Sequence, residues 1–219
     1  SDDRIFHLGA STVESELSSW VFSVEKDAQD RIMYGRVTPG PDLFIRGGNY
    51  LLTGATGGIG GEIARYLART YHPNLFLVGR RKADAAWKKT LDELEQYGAR
   101  VRYLPADITN SQDTRRIIEE VHRHFTRLDG LFHLAGVIDE EFAMAVKRDG
   151  LLALESLHPE LTVLFSSISA IMPGVTSHLK AYAEANQWLD EYAQAEHQQG
   201  RRITSLAWGP WARVGMAAG

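Results

Sequence analysis

A glycine run placed where a strand gives way to a helix narrows the possible folds of this chain more than any other feature. Residues 53–60, Thr-Gly-Ala-Thr-Gly-Gly-Ile-Gly, follow the apolar Tyr50-Leu51-Leu52 and lead straight into an amphipathic stretch. In such a turn Gly54 permits a tight reversal, Gly58 lets the main chain approach a ligand, and Gly60 lets the helix pack on the strand. The first N–H groups of a helix have no partners within it and favour an anion. The spacing therefore predicts a bed for the pyrophosphate of a dinucleotide, with Thr56, Gly57 and Ile59 in the same bed. A glycine-rich turn with no ligand is the structural alternative.

The 219 residues suit one α/β domain with extra chain at its front, large enough to bury a core without staples. There is no cysteine, which excludes disulfides, thiolate metal sites and cysteine nucleophiles, and no metal is expected. The net charge of -4 is mild and its signs are interspersed, so neither nucleic acid nor a membrane surface is an expected partner. No apolar run reaches membrane-spanning length. Ser1-Asp2-Asp3-Arg4 is acidic and polar where a secretory signal would be basic and then apolar, and a cytoplasmic setting is expected.

From residue 49 onward, short β-rich runs alternate with helical patterns, the signature of repeated βαβ units and a Rossmann-like, doubly wound parallel sheet. Strands are expected near 49–53, 74–79, 100–104, 129–134, 161–166 and 202–208. Helices are expected near 58–70, 84–97, 111–125, 143–156 and 179–197. In the third of these, Asn110 or Ser111 is the N-cap, and Ile117, Ile118, Val121 and Phe125 recur at helical spacing toward the sheet. Thr38-Pro39-Gly40-Pro41 and Gly47-Gly48 mark the one boundary. Residues 1–48 lack the βα rhythm: Ser11-Thr12-Val13-Glu14 reads as a helix start and residues 31–37 as an edge strand. They are either the remnant of a neighbouring subdomain or an extension covering the sheet edge, with 49–219 as the nucleotide-binding domain.

The second strand ends in Val78-Gly79-Arg80-Arg81, where such folds choose between cofactors. An acid there would bind the ribose 2′-hydroxyl, whereas arginine accommodates a 2′-phosphate, so NADPH is expected over NADH. Solvated surface charge is the alternative for both arginines. Asp107, after the third strand, is a candidate acceptor for the adenine amino group or simply the cap of a turn. Ile108 beside it, and Ala135 and Gly136 after the fourth strand, complete the expected nucleotide contacts.

Ser166 and Ser167 end the fifth strand, and Tyr182 and Asn186 share a face of the next helix at i, i+4. A ketone that accepts hydride becomes an alkoxide and needs a proton. A tyrosine supplies it when a nearby cation lowers its pKa and a serine hydroxyl holds the substrate oxygen. Lys147, read as an exposed side chain, is the candidate cation. Taken singly, the tyrosine could be a core or rim residue and the serine pair a helix cap.

These segments together resemble the ketoreductase domains of modular polyketide synthases, within the short-chain dehydrogenase/reductase superfamily. The likeness runs from about residue 49 to the end and rests on TGATGGIG, LVGRR, PADIT, the HLAGV run His133–Val137, VLFSSISA (Val163–Ala170), YAEANQWLD (Tyr182–Asp190) and SLAWGPWA (Ser205–Ala212). Most short-chain reductases carry lysine four residues after the tyrosine. This chain has Asn186 there and Lys147 upstream, an exchange similar to the polyketide ketoreductases. The resemblance implies that Ser167 and Tyr182 bind and protonate the carbonyl while Lys147 and Asn186 support the proton path. It also implies a β-ketoacyl substrate on an acyl carrier protein, and neighbouring domains of the same synthase. The length of Phe165–Tyr182 is similar to synthases served by a separate acyltransferase.

The connection from Ala135-Gly136-Val137 to Lys147 is shorter than in the family, which leaves the support of Lys147 open. The chain ends where a substrate lid would begin. A silent, scaffolding ketoreductase-like domain is the competing reading, and a free-standing carbonyl reductase the third. Of a leucine-aspartate-aspartate motif marking one stereochemical class, Ile138-Asp139-Glu140 keeps one aspartate, and Gly174 stands where the other class has tryptophan. The first class is the expectation.

Overall fold

The computed structural model of the chain describes residues 6–9, 21–26, 32–36, 43–171 and 179–209. Strands β1 (Phe6–Gly9), β2 (Val21–Lys26) and β3 (Ile32–Arg36) pair antiparallel in that order, and β1 runs close to the last strand of the chain. Only β3 was expected. Phe6–Gly9 and Val21–Lys26 are too short for periodicity to separate strand from helix. The helix start at Ser11 and the stereochemical position Gly174 lie outside the described residues.

From Asn49 the βα rhythm takes over. In chain order come β4 (Asn49–Thr53), α1 (Gly58–Tyr71), β5 (Asn74–Gly79), α2 (Ala85–Gln96), β6 (Arg100–Pro105), α3 (Ser111–His124) and β7 (Gly130–His133). A π-turn, Ala145–Asp149, runs into α4 (Gly150–Leu152), followed by β8 (Thr162–Ser167), α5 (Lys180–Gln198) and β9 (Ile203–Trp208). The six strands form one parallel sheet ordered β6-β5-β4-β7-β8-β9. This is the Rossmann-like, doubly wound α/β architecture expected from the sequence.

Two-residue alternation in the strands makes the two cores. Leu51, Phe76 and Val78 pack with Ile117, Val121 and Leu189 on one face; Leu52, Leu75 and Leu77 pack with Ala64, Leu67 and Leu94 on the other. Each fully buried leucine contributes about 1.5–3 kcal/mol relative to exposure. The helix starts follow local chemistry. Asp84 accepts from Trp87 N at 2.8 Å, and Asn110, rather than Ser111, caps α3 by accepting from the N–H groups of Gln112 and Asp113.

One expected helix is broken. Over 143–156 the chain forms the π-turn, the short α4 and a 3₁₀ turn, Glu155–Leu157. The N–H of Gly150 reaches back to Ala145 O, and Gly150 lies so close to Ile108 that a Cβ would sit 2.6 Å from its Cδ1. The break in helical register thus coincides with close packing on the turn after β6.

Candidate active site

The strand order reverses between β4 and β7, and a ligand crevice is expected at their carboxyl ends. There the turns after the two strands touch. Gly54 is left-handed, with φ +69°, and a Cβ on it would lie 2.6 Å from Ala135 N. Gly60 meets Gly54 O and Ala55 Cα, so it packs on the turn rather than on the strand itself. No side chain caps α1 at Gly57, so its first N–H groups open toward an anion.

The result is a cleft of about 480 Å³. Gly54, Thr56, Gly57, Gly58, Ile59 and Gly60 line one side of it, and Arg80, Arg81, Asp107, Ile108, Ala135 and Gly136 line the rest. These are the residues assigned from the sequence to a nucleotide. The glycine cradle, the uncapped helix and the volume fit a nicotinamide dinucleotide.

Two of the bland alternatives also hold locally. Arg81 pairs with Asp84, its Nε donating to Oδ2 at 2.7 Å, while Arg80 lies exposed at the rim. Asp107 Oδ1 accepts from Thr109 N at 2.9 Å and Thr109 Oγ1 at 2.7 Å, which makes it a turn cap as well as a wall of the cleft.

The groups assigned to proton transfer gather around the end of β8. Lys147 was read as exposed, and that is corrected: it is buried, 3% exposed, and its ammonium donates to Phe165 O at 2.8 Å. The π-turn carries it inward beneath the strand. Its Nζ lies 5.9 Å from the centroid of the Tyr182 ring. The short connection after Val137 thus still delivers the lysine beside Tyr182. Burial pushes the Lys147 pKa down to about 8, partly opposed by the Asp190 carboxylate, which accepts from Ser205 Oγ at 2.6 Å.

Asn186 is fully buried and its Nδ2 donates to Tyr182 O at 2.7 Å, while its Oδ1 is buried with no hydrogen-bond partner among the described residues. Ser166 Oγ donates to Asn186 O at 3.2 Å. Ser167 Oγ accepts from Ser169 N at 3.2 Å, so this serine does cap the turn that follows, yet it keeps its hydroxyl hydrogen to donate elsewhere.

Sequence reasoning gave no role to His133 or Thr53. The two stand at paired register positions at the ends of β7 and β4, with Thr53 Oγ1 2.9 Å from His133 Nδ1 and His133 Nε2 3.1 Å from Lys147 O. The available signal was a polar residue closing each of two parallel strands directly after an apolar run. Among the described residues no helix is long and apolar enough to cross a membrane, and no His, Cys, Asp and Glu cluster is arranged to hold a metal.

Comparison with known proteins adds the family. The KR domain model matches residues 48–213. Erythronolide synthase EryA3 of Saccharopolyspora erythraea is 34% identical over 209 residues, covering 87% of this chain and 6% of that protein. Polyketide synthase PksN of Bacillus subtilis is 32% identical over 194 residues, covering 78% of this chain and 4% of that protein. A solved structure described as A-type ketoreductases from modular polyketide synthase superposes with a TM-score of 0.75 at 31% identity, over 84% of this chain and 42% of that one. The chain therefore spans a small part of these synthases.

Proposed function

The chain belongs to the KR domain family, the ketoreductase domains of polyketide synthases, and from that premise we propose that it reduces a β-ketoacyl thioester to a β-hydroxyacyl thioester with NADPH. The family implies a nicotinamide cofactor. The observation that carries the reading is the buried Lys147 ammonium, held at Phe165 O beside Tyr182 and next to the glycine-lined cleft. A buried lysine is costly to keep and marks a functional site.

Bound NADPH would supply a hydride to the β-carbon. The chain does the rest. Ser167 donates its hydroxyl hydrogen to the carbonyl oxygen, and Tyr182 gives its phenolic proton to the same oxygen as negative charge develops there. Lys147 stabilises the resulting tyrosinate, and the amide of Asn186, one turn along α5, supports the path that restores the proton. One hydride and one proton convert C=O to CH–OH.

The same reading makes residues 49–219 the catalytic domain and 1–48 a neighbouring subdomain or sheet-edge extension. It gives the domain an acyl carrier protein as the bearer of its substrate, further synthase domains as neighbours, and the cytoplasm as its setting.

Arg80 and Arg81 carry the preference for NADPH. Fluorescence titration should give NADPH a Kd about tenfold or more below that of NADH. In the Arg80→Ala/Arg81→Ala variant this gap closes through weaker NADPH binding, while NADH binding is unchanged. Equal affinities in the wild type would remove the 2′-phosphate assignment. Absence of binding by either nucleotide would leave a scaffolding domain.

A further inference from the structure

We propose that His133 is a positioning residue that locks the main chain of Lys147 to the nucleotide turn, an inference that rests on the reductase reading above. His133 is fully buried, and its two ring nitrogens touch different elements. A carbonyl only accepts, so the 3.1 Å contact to Lys147 O requires hydrogen on Nε2. Burial beside the Lys147 ammonium drives the ring pKa down to about 3, so the imidazole is neutral at physiological pH and Nδ1 is an acceptor. Its partner at 2.9 Å, the Thr53 hydroxyl, must then donate.

The spent hydroxyl still has a lone pair, and it accepts from Ala135 N at 3.4 Å. Every direction in the chain is thereby set: Ala135 N–H to Thr53 Oγ1, Thr53 O–H to His133 Nδ1, His133 Nε2–H to Lys147 O. The two ends are the places that matter. Ala135 N is the atom that a side chain on Gly54 would strike, and Lys147 is the buried cation. His133 fixes the lysine's main chain, as Phe165 O fixes its ammonium. The bond to Lys147 O is thus a second anchor on the π-turn that carries the lysine. His133 is fully buried and offers no surface to substrate or cofactor, so its effect is expected chiefly in turnover, through Lys147.

Two variants separate hydrogen bonding from volume. His133→Gln keeps an N–H donor and a carbonyl acceptor at similar reach, whereas His133→Met keeps the bulk and loses both. Both are assayed with NADPH and a β-ketoacyl thioester. The expected result is a kcat about 10- to 100-fold lower for His133→Met, with KM and NADPH affinity little changed, and recovery of most of the loss in His133→Gln.

If His133→Met does not fold, Thr53→Val removes the donor to Nδ1 and should lower kcat in the same way. Nitrogen-15 spectra of the labelled wild type should show a neutral His133 ring with hydrogen on Nε2. Hydrogen on Nδ1, or Met and Gln variants of equal turnover, would overturn the positioning role alone. A wild type that binds NADPH and turns nothing over would overturn the reductase reading, and the positioning role with it.

Discussion

Replacing Tyr182 by phenylalanine should lower reduction of a β-ketoacyl thioester by about 100- to 10,000-fold while NADPH binding and folding persist. The substitution removes one hydroxyl and keeps the ring, so the half-buried packing of α5 is retained. It also leaves the Tyr182 main-chain carbonyl, to which Asn186 donates at 2.7 Å, untouched. What disappears is the proton for the alkoxide, and no other hydroxyl takes its place, because Ser167 is occupied in holding the substrate oxygen. The check is steady-state turnover alongside nucleotide titration. A variant as fast as wild type would show that the proton comes from elsewhere.

Replacing Lys147 by methionine should likewise remove most turnover, yet leave stability near that of the wild type or above it. Two terms oppose each other. At neutral pH the folded and unfolded states both carry the ammonium, and the drop of its pKa from 10.5 to about 8 measures a folding penalty of about 3 kcal/mol. Methionine relieves that penalty and loses the hydrogen bond to Phe165 O, which costs about 1–3 kcal/mol.

The sign of the pH dependence follows from the same lysine. Below pH 8 the penalty is fully present. Between pH 8 and 10.5 the folded state releases its proton while the unfolded state keeps it, so wild-type stability rises across that window. Denaturant unfolding at neutral pH and at pH 10 should show this gain in the wild type and a smaller one in Lys147→Met. A large loss of stability in the variant at neutral pH would contradict the buried-cation account.

The readability of each feature from sequence followed how local its cause is. The strands of the parallel sheet were legible as short apolar runs alternating with helical patterns, and their ends fell within about two residues of expectation because glycine, proline and capping side chains terminate the elements locally. The glycine-lined cleft was legible for the same reason, since its wall is the set of turns that follow consecutive strands.

Lys147 was not. Its burial depends on a carbonyl 18 residues away and on a π-turn beside the close approach of Gly150 to Ile108, neither of which leaves a periodic trace. His133 was named only as the first residue of the HLAGV run and given no role, because a lone histidine ending a strand leaves no trace of its partners in the sequence. Its pairing with Thr53 exists only once β4 and β7 lie side by side. The strands β1 and β2 are the third case, short segments whose pairing decides their conformation.

Isotope transfer reads out hydride delivery itself. The protein is incubated with NADPH deuterated at the transferring position of the nicotinamide and with a β-ketoacyl thioester, and the product is examined by mass spectrometry. The expected product is a β-hydroxyacyl thioester with one deuterium on its β-carbon, in amounts matching the nicotinamide oxidised, and it is lost in Tyr182→Phe. NADPH that binds in the cleft yet transfers no deuterium to the thioester would contradict it and leave the domain a scaffold.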